Sequence, residues 1–168
     1  TVRRKNAYRY AGAIEAGYLL DELYVEAIAD GSHLPAELLQ LIYKCKRPHR
    51  VCLVTDSILA AGMPDGEYKL GGLRCIKEDG VAKLPDRSAF AGSVATTDML
   101  VRTFRRLTGA PLEDVVRMAS LTPAELMGIG GRTGSIRAGK AADLLVFDED
   151  IHIHHVVVGG RTEASDLL

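Results

Sequence analysis

The stretch "LYVEAIADGSHLPAELLQLIYKCKRPHRVCLVTDS" (23–57) decides the fold. Leu23 to Asp30 reads as an apolar strand that closes on an acidic residue. From Leu34 to Lys46 the pattern turns helical, with Pro35 near the first turn and Leu38, Leu39, Leu41 and Ile42 on one face. Val51, Cys52, Leu53 and Val54 then form a second apolar strand, which ends on Thr55 and Asp56. Strand, helix, strand with continuous apolar runs predicts a parallel sheet covered by helices. The carboxylate at the end of the second strand needs a reason, because an ionised Asp is costly to bury unpaired.

Working outward, "AGAIEAGYLLDE" (11–22) predicts a preceding helix. After Asp56 the alternation stops. Asp65-Gly66, Gly71-Gly72 and Asp79-Gly80 separate short strand-like runs, which predicts a β-hairpin excursion over 64–84. Leu100, Phe104 and Leu107 repeat at helical spacing up to a stop at Gly109, and Pro111 opens another helix carrying Leu112, Val115 and Val116. Thr122-Pro123-Ala124-Glu125 has the pattern of a capping box. The tail, "ADLLVFDEDIHIHHVVVGGR" (142–161), predicts two more strands. Two clear βα units within 168 residues cannot close an eight-stranded barrel, which takes about 250 residues. The sheet is open, or the chain is part of something larger.

Bulk properties exclude several classes. A formal net charge of -1 offers no electrostatic case for nucleic acid or an anionic membrane. No apolar run reaches the roughly 18 residues of a spanning helix, and the basic "TVRRKNAYRY" (1–10) has no apolar run behind it to make a secretory signal. Cys45, Cys52 and Cys75 form no C-x-x-C pair and no disulfide framework. Cytoplasmic placement is the expectation.

In parallel α/β folds, sites form at the carboxyl ends of strands. Asp30, Gly31, Ser32 and His33 follow one strand and Asp56 the next, so His33 and Asp56 should share a rim. Either Asp could instead cap the following helix; the alternative is weaker for Asp56, since "SILAAGM" starts a poor helix. "FAGSVATTD" (90–98) sets Gly92 and Ser93 before a helix, where free N–H groups suit an anion. His152 and His154, two apart, could share a strand face as metal ligands, but no third ligand stands near, and a solvated edge strand is the better reading. His49 reads as a surface loop residue.

Taken together these motifs resemble one family. "GSIRAGKAADLLVFD" (134–148) resembles the C-terminal signature of the amidohydrolase superfamily. "EAIADGSHLP", "LVTDSILAAGMPDGEYKLGG", "FAGSVATTDMLVR" and "PLEDVVRMASLTPAELMGI", in that order, resemble the N-acetylglucosamine-6-phosphate deacetylases. The resemblance implies an α/β chain, the C-terminal part of a (β/α)8 TIM-type barrel of the metal-dependent hydrolase kind, plus strands of a small β-sandwich domain. Its expected division is 1–133 for the partial barrel, with the excursion at 64–84, and 134–168 for the small β domain. It implies hydrolysis of the acetamide of N-acetylglucosamine 6-phosphate, with Asp56 as general base and acid. His33 would hydrogen-bond the sugar or the developing oxyanion. Asp30, Gly31, Ser32, Phe90, Ala91 and Gly92 map to substrate contacts, and Arg9 to the phosphate, although the usual R-E-P-G context reads Arg9-Tyr10-Ala11-Gly12 here.

The same resemblance implies a divalent metal, zinc by expectation. Its ligands in the family, an acidic residue and two histidines, lie upstream of anything in this chain. The isolated chain is therefore expected to be inactive, and exposed strand edges and helix faces to drive self-association as a homodimer or larger assembly. Two other readings stay open: a sugar-phosphate-binding module without catalysis, and an amidohydrolase acting on another amide.

Overall fold

The computed structural model describes residues 3–5 and 8–165, with side chains over 10–163. Two short antiparallel strands, β1 (Arg3–Lys5) and β2 (Tyr8–Tyr10), open the chain and pair Arg4 with Arg9. Helix α1 (Ala13–Leu19) follows, then β3 (Val25–Ala27), α2 (Ala36–Lys46) and β4 (Val51–Leu53). Strands β3 and β4 are parallel, in the register Val25–Val51, Glu26–Cys52 and Ala27–Leu53. This is the βαβ unit that the apolar runs predict. The parallel direction continues at a bridge between Ser57 and Ser93, so the segment around Ser93 runs alongside the end of β4.

Three antiparallel strands interrupt the alternation: β5 (Gly66–Leu70), β6 (Leu73–Glu78) and β7 (Val81–Lys83). The expected hairpin is thus a meander of three strands, turning at Gly71-Gly72 and Asp79-Gly80. Helices α3 (Thr97–Thr108), α4 (Leu112–Ala119) and α5 (Leu121–Leu126) come next. Gly109 ends α3 in the left-handed conformation, φ 69°, as a C-terminal glycine does. Strands β8 (Leu144–Phe147), β9 (Ile153–Val158) and β10 (Arg161–Ser165) form a second three-stranded antiparallel sheet in the order β10-β9-β8.

One core holds the parallel strands against the helices. Val51 and Leu53 of β4, Leu39 and Ile42 of α2, Leu100 and Phe104 of α3, and Val115 and Met118 of α4 are buried together. Leu38 and Leu107 pack on its edge, as their spacing predicts, whereas Leu41 is 44 % exposed. The helix turns it past the sheet, because an apolar stripe wider than the strand pair leaves its flank in water. Ile151 also enters this core, at φ 64°, a conformation β-branched residues rarely adopt. The guanidiniums of Arg102 and Arg105 donate to the carbonyls of Ile151 and Glu149 at 2.7 and 2.9 Å, fastening the β8–β9 turn to α3.

The capping box at Thr122 does not form. Helix α5 starts two residues earlier, at Leu121 with Ser120 as its N-cap, and the buried Thr122 hydroxyl donates to the Pro48 carbonyl at 2.6 Å. Glu125 pairs with Arg117 instead. A distant carbonyl in the core outcompetes the local pattern, since an unpartnered buried carbonyl is costly.

Candidate active site

The loops after β3 and β4 leave the parallel pair at the same end. After β3 the chain tightens into a turn around Asp30. Asp30 Oδ1 accepts the backbone N–H groups of Ser32 and His33, both at 2.9 Å, and Oδ2 lies 2.7 Å from His33 Nδ1. Gly31 sits at φ 86° within it, a conformation that favours glycine. Asp30 does not cap the following helix; that role falls to Pro35, because the carboxylate is spent inside the turn. Burial pushes the Asp30 carboxyl up, but the N–H groups of His33 and Ser32 and the His33 ring outweigh it and hold it below the ordinary carboxylate range.

Beyond β4, Asp56 adopts φ 49° and leaves its carboxylate exposed, without a hydrogen bond among the described residues. Asp and Asn tolerate this left-handed backbone better than other non-glycine residues. The strand-end carboxylate is thus in water rather than buried. The backbone around it is fixed from the other side: Ser93 N–H donates to the Asp56 carbonyl at 3.1 Å and Ile58 N–H to the Ser93 carbonyl at 2.9 Å. The Ser57 hydroxyl donates to the Ala95 carbonyl, and Ser93 Oγ accepts the Ala95 N–H.

Those bonds change the reading of Gly92 and Ser93. Helix α3 begins only at Thr97, and the Ser93 N–H is committed to Asp56, so the pair joins two loops and does not form a helix-start anion cradle. Gly92 takes φ 116°, and a Cβ there would lie 2.5 Å from Ile58 Cγ2. Phe90 and Ala91 are carried by the meander: Ala91 N–H donates to the Ala82 carbonyl at 2.8 Å, and Lys83 bridges to Phe90. This sets the Phe90 ring 4.8 Å from the His33 ring, tilted by 38°. The Asp30–His33 turn therefore meets Phe90 through the His33 ring, while Gly92 meets the Asp56 turn. Arg9 lies in β2, and its side chain falls outside the described residues. The Phe90–His33 contact is the feature the sequence concealed, since it depends on a bridge made by β7.

The amidohydrolase family profile matches residues 7–162. The chain belongs to the amidohydrolase family. Among its relatives is an Escherichia coli K12 protein provisionally named an N-acetylgalactosamine-6-phosphate deacetylase, 34% identical over 92% of this chain and 91% of that protein. The N-acetylglucosamine-6-phosphate deacetylase of Vibrio furnissii is 36% identical over 92% of this chain but only 38% of its own length. The crystal structure of the Thermotoga maritima N-acetylglucosamine-6-phosphate deacetylase superposes with a TM-score of 0.86 at 36% identity, covering 92% of this chain and 42% of that one. This chain thus corresponds to about two-fifths of those longer enzymes, and its α/β fold is that part of the amidohydrolase barrel and its adjoining sheet.

Amidohydrolases are generally metal-dependent. Among the described residues no group of three His, Cys, Asp or Glu side chains could hold a metal ion. Asp30 and His33 are engaged with each other. Asp148 comes nearest, with His152 Nδ1 at 3.0 Å and His154 Nε2 at 3.4 Å. Both rings approach the same carboxylate oxygen, Oδ2, as its direct polar partners. The His152 backbone N–H and ring, with the Asp150 N–H, hold Asp148 at about 2. The described residues therefore do not fit a metal cage.

Proposed function

We propose that this chain carries the proton-transfer and sugar-binding rim of a deacetylase acting on N-acetylglucosamine 6-phosphate. The observation that supports it best is two loops leaving the same end of the parallel pair: one carries Asp56, whose backbone carbonyl accepts the Ser93 N–H and whose exposed carboxylate has no hydrogen bond among the described residues, and the other a His33 ring anchored by Asp30 and flanked by Phe90. On this reading Asp56 accepts a proton from the water that attacks the acetamide carbonyl. It then delivers that proton to the amine nitrogen as the C–N bond breaks, because an amine leaves poorly unprotonated. His33 and Phe90 hold the sugar, and Arg9 its phosphate. Zinc, by family expectation, is assigned to residues outside those described. The three free cysteines suit a reducing, cytoplasmic setting.

The relative matched over most of its own length is named for the galactosamine epimer, which supports a second reading of the sugar. A chimera separates the two. Residues 8–162 of this chain replace the matching segment of the Thermotoga maritima enzyme, and acetate release is measured from both N-acetylated sugar phosphates. Turnover of the gluco sugar is expected. Preference for the galacto sugar would move the assignment to the epimer, and a folded, inactive chimera would overturn the deacetylase reading.

Self-association is the partner reading. Edge strand β8 exposes Leu144, Leu145 and Val146 in succession, so both of its faces and its free backbone edge are uncovered among the described residues. Sedimentation should show a concentration-dependent dimer that Leu145→Lys dissociates. A monomer at every concentration would overturn it.

A further inference from the structure

We infer that Asp30 is a positioning residue for His33 rather than a contact to the ligand, and that it fixes the ring with Nδ1–H inward and Nε2 presented beside Phe90. The side chain of Asp30 is 5 % exposed and that of His33 is 18 % exposed. Asp30 spends Oδ1 on the two backbone N–H groups and Oδ2 on the ring. A carboxylate in that state has neither the exposure nor a well-placed free lone pair for a sugar. An ionised carboxylate offers only acceptors, so the nitrogen 2.7 Å from Oδ2 carries the proton. The Phe90 ring, 4.8 Å away, stands beside the imidazole and backs this orientation.

The assignment has a chemical consequence for recognition. With Nδ1 protonated, the neutral ring shows a lone pair at Nε2 and accepts from a hydroxyl; only the charged ring donates to a carbonyl oxygen. The ligand group that neutral His33 reads is therefore a hydroxyl donor. Only this last step rests on the deacetylase reading, which supplies a polyhydroxylated ligand.

Asp30→Asn inverts the arrangement while keeping the turn. The amide oxygen still accepts the N–H groups of Ser32 and His33, and the amide NH2 then faces Nδ1. A donor facing Nδ1 requires a lone pair there, which moves the ring proton to Nε2. Long-range 1H–15N spectra of the purified chain, recorded well above the ordinary histidine pKa, report the tautomer of each of its five histidines. A His33→Gln spectrum identifies the His33 signals. The expected result is Nδ1–H in the wild type and Nε2–H in Asp30→Asn, with glucosamine 6-phosphate affinity about five- to tenfold lower in the variant. An Nε2–H wild type, or a folded variant with an unchanged tautomer, would overturn the inference. If the variant does not fold, the wild-type spectrum still decides. Absence of sugar-phosphate binding alongside the expected tautomers would count against the deacetylase reading and leave the positioning role standing.

Discussion

Asp56→Asn in the chimera is expected to lower kcat for acetate release by about 10²- to 10⁴-fold, with KM and the melting temperature close to their starting values. The size follows from the step removed. A positioned carboxylate lends this much to a reaction in which one proton must leave water and another must reach a departing amine. Asn keeps the shape of Asp but cannot take up that proton. Fold and binding should survive because the Asp56 carboxylate is exposed and has no hydrogen-bond partner among the described residues. The contacts that fix this turn are to its backbone, through the Ser93 N–H. Asn also tolerates the left-handed φ of 49° that Asp56 adopts, so the exchange leaves the backbone unstrained. Asp56→Ala lacks that property and mixes lost chemistry with strain of roughly 1–2 kcal/mol. An Asp56→Asn chimera retaining more than a tenth of its kcat would remove Asp56 from the proton path.

The parallel βαβ unit was legible because its signals are local. Apolar runs at Val25 and Val51 and the helical spacing of Leu39 and Ile42 all describe faces that pack in or against the core. Glycine dipeptides likewise marked the turns of the meander, although its third strand, Val81–Lys83, is too short to announce itself. What stayed hidden depends on partners distant in sequence. Thr122 has the local pattern of a cap, yet its hydroxyl goes to Pro48. Gly92 and Ser93 look like a helix start, yet they belong to the Asp56 turn. Ile151, whose β-branched side chain disfavours positive φ, accepts that backbone because burial in the helical core compensates for it. The site shows the same division. Composition and spacing pick out Asp30, His33 and Asp56 at strand ends, whereas the Phe90 contact exists only once β7 has paired with the loop after it.

Gly92→Ala should destabilise the chain by about 2–4 kcal/mol, and it tests the junction that joins the two halves of the site. Two costs add. At φ 116° the backbone is in a region that residues with a Cβ rarely enter, worth roughly 1–2 kcal/mol. The new Cβ would also stand 2.5 Å from Ile58 Cγ2, well inside the roughly 3.5–4.0 Å at which carbon atoms pack. Relieving that overlap costs about 1–2 kcal/mol, because Ile58 is itself tied by its N–H to Ser93. In a domain of this size the loss corresponds to a fall in Tm of about 5–15 °C. Gly62 supplies the control: it has φ 74°, and a methyl group there would meet nothing within 4 Å, so Gly62→Ala carries the backbone cost alone. A double-mutant cycle with Ile58→Ala then isolates the clash. If the overlap dominates, Gly92→Ala costs less when Ile58 is already Ala. Equal losses at Gly92 and Gly62, with no coupling to Ile58, would place the whole effect in the backbone and remove the Gly92–Ile58 contact as the restraint on the Asp56 turn.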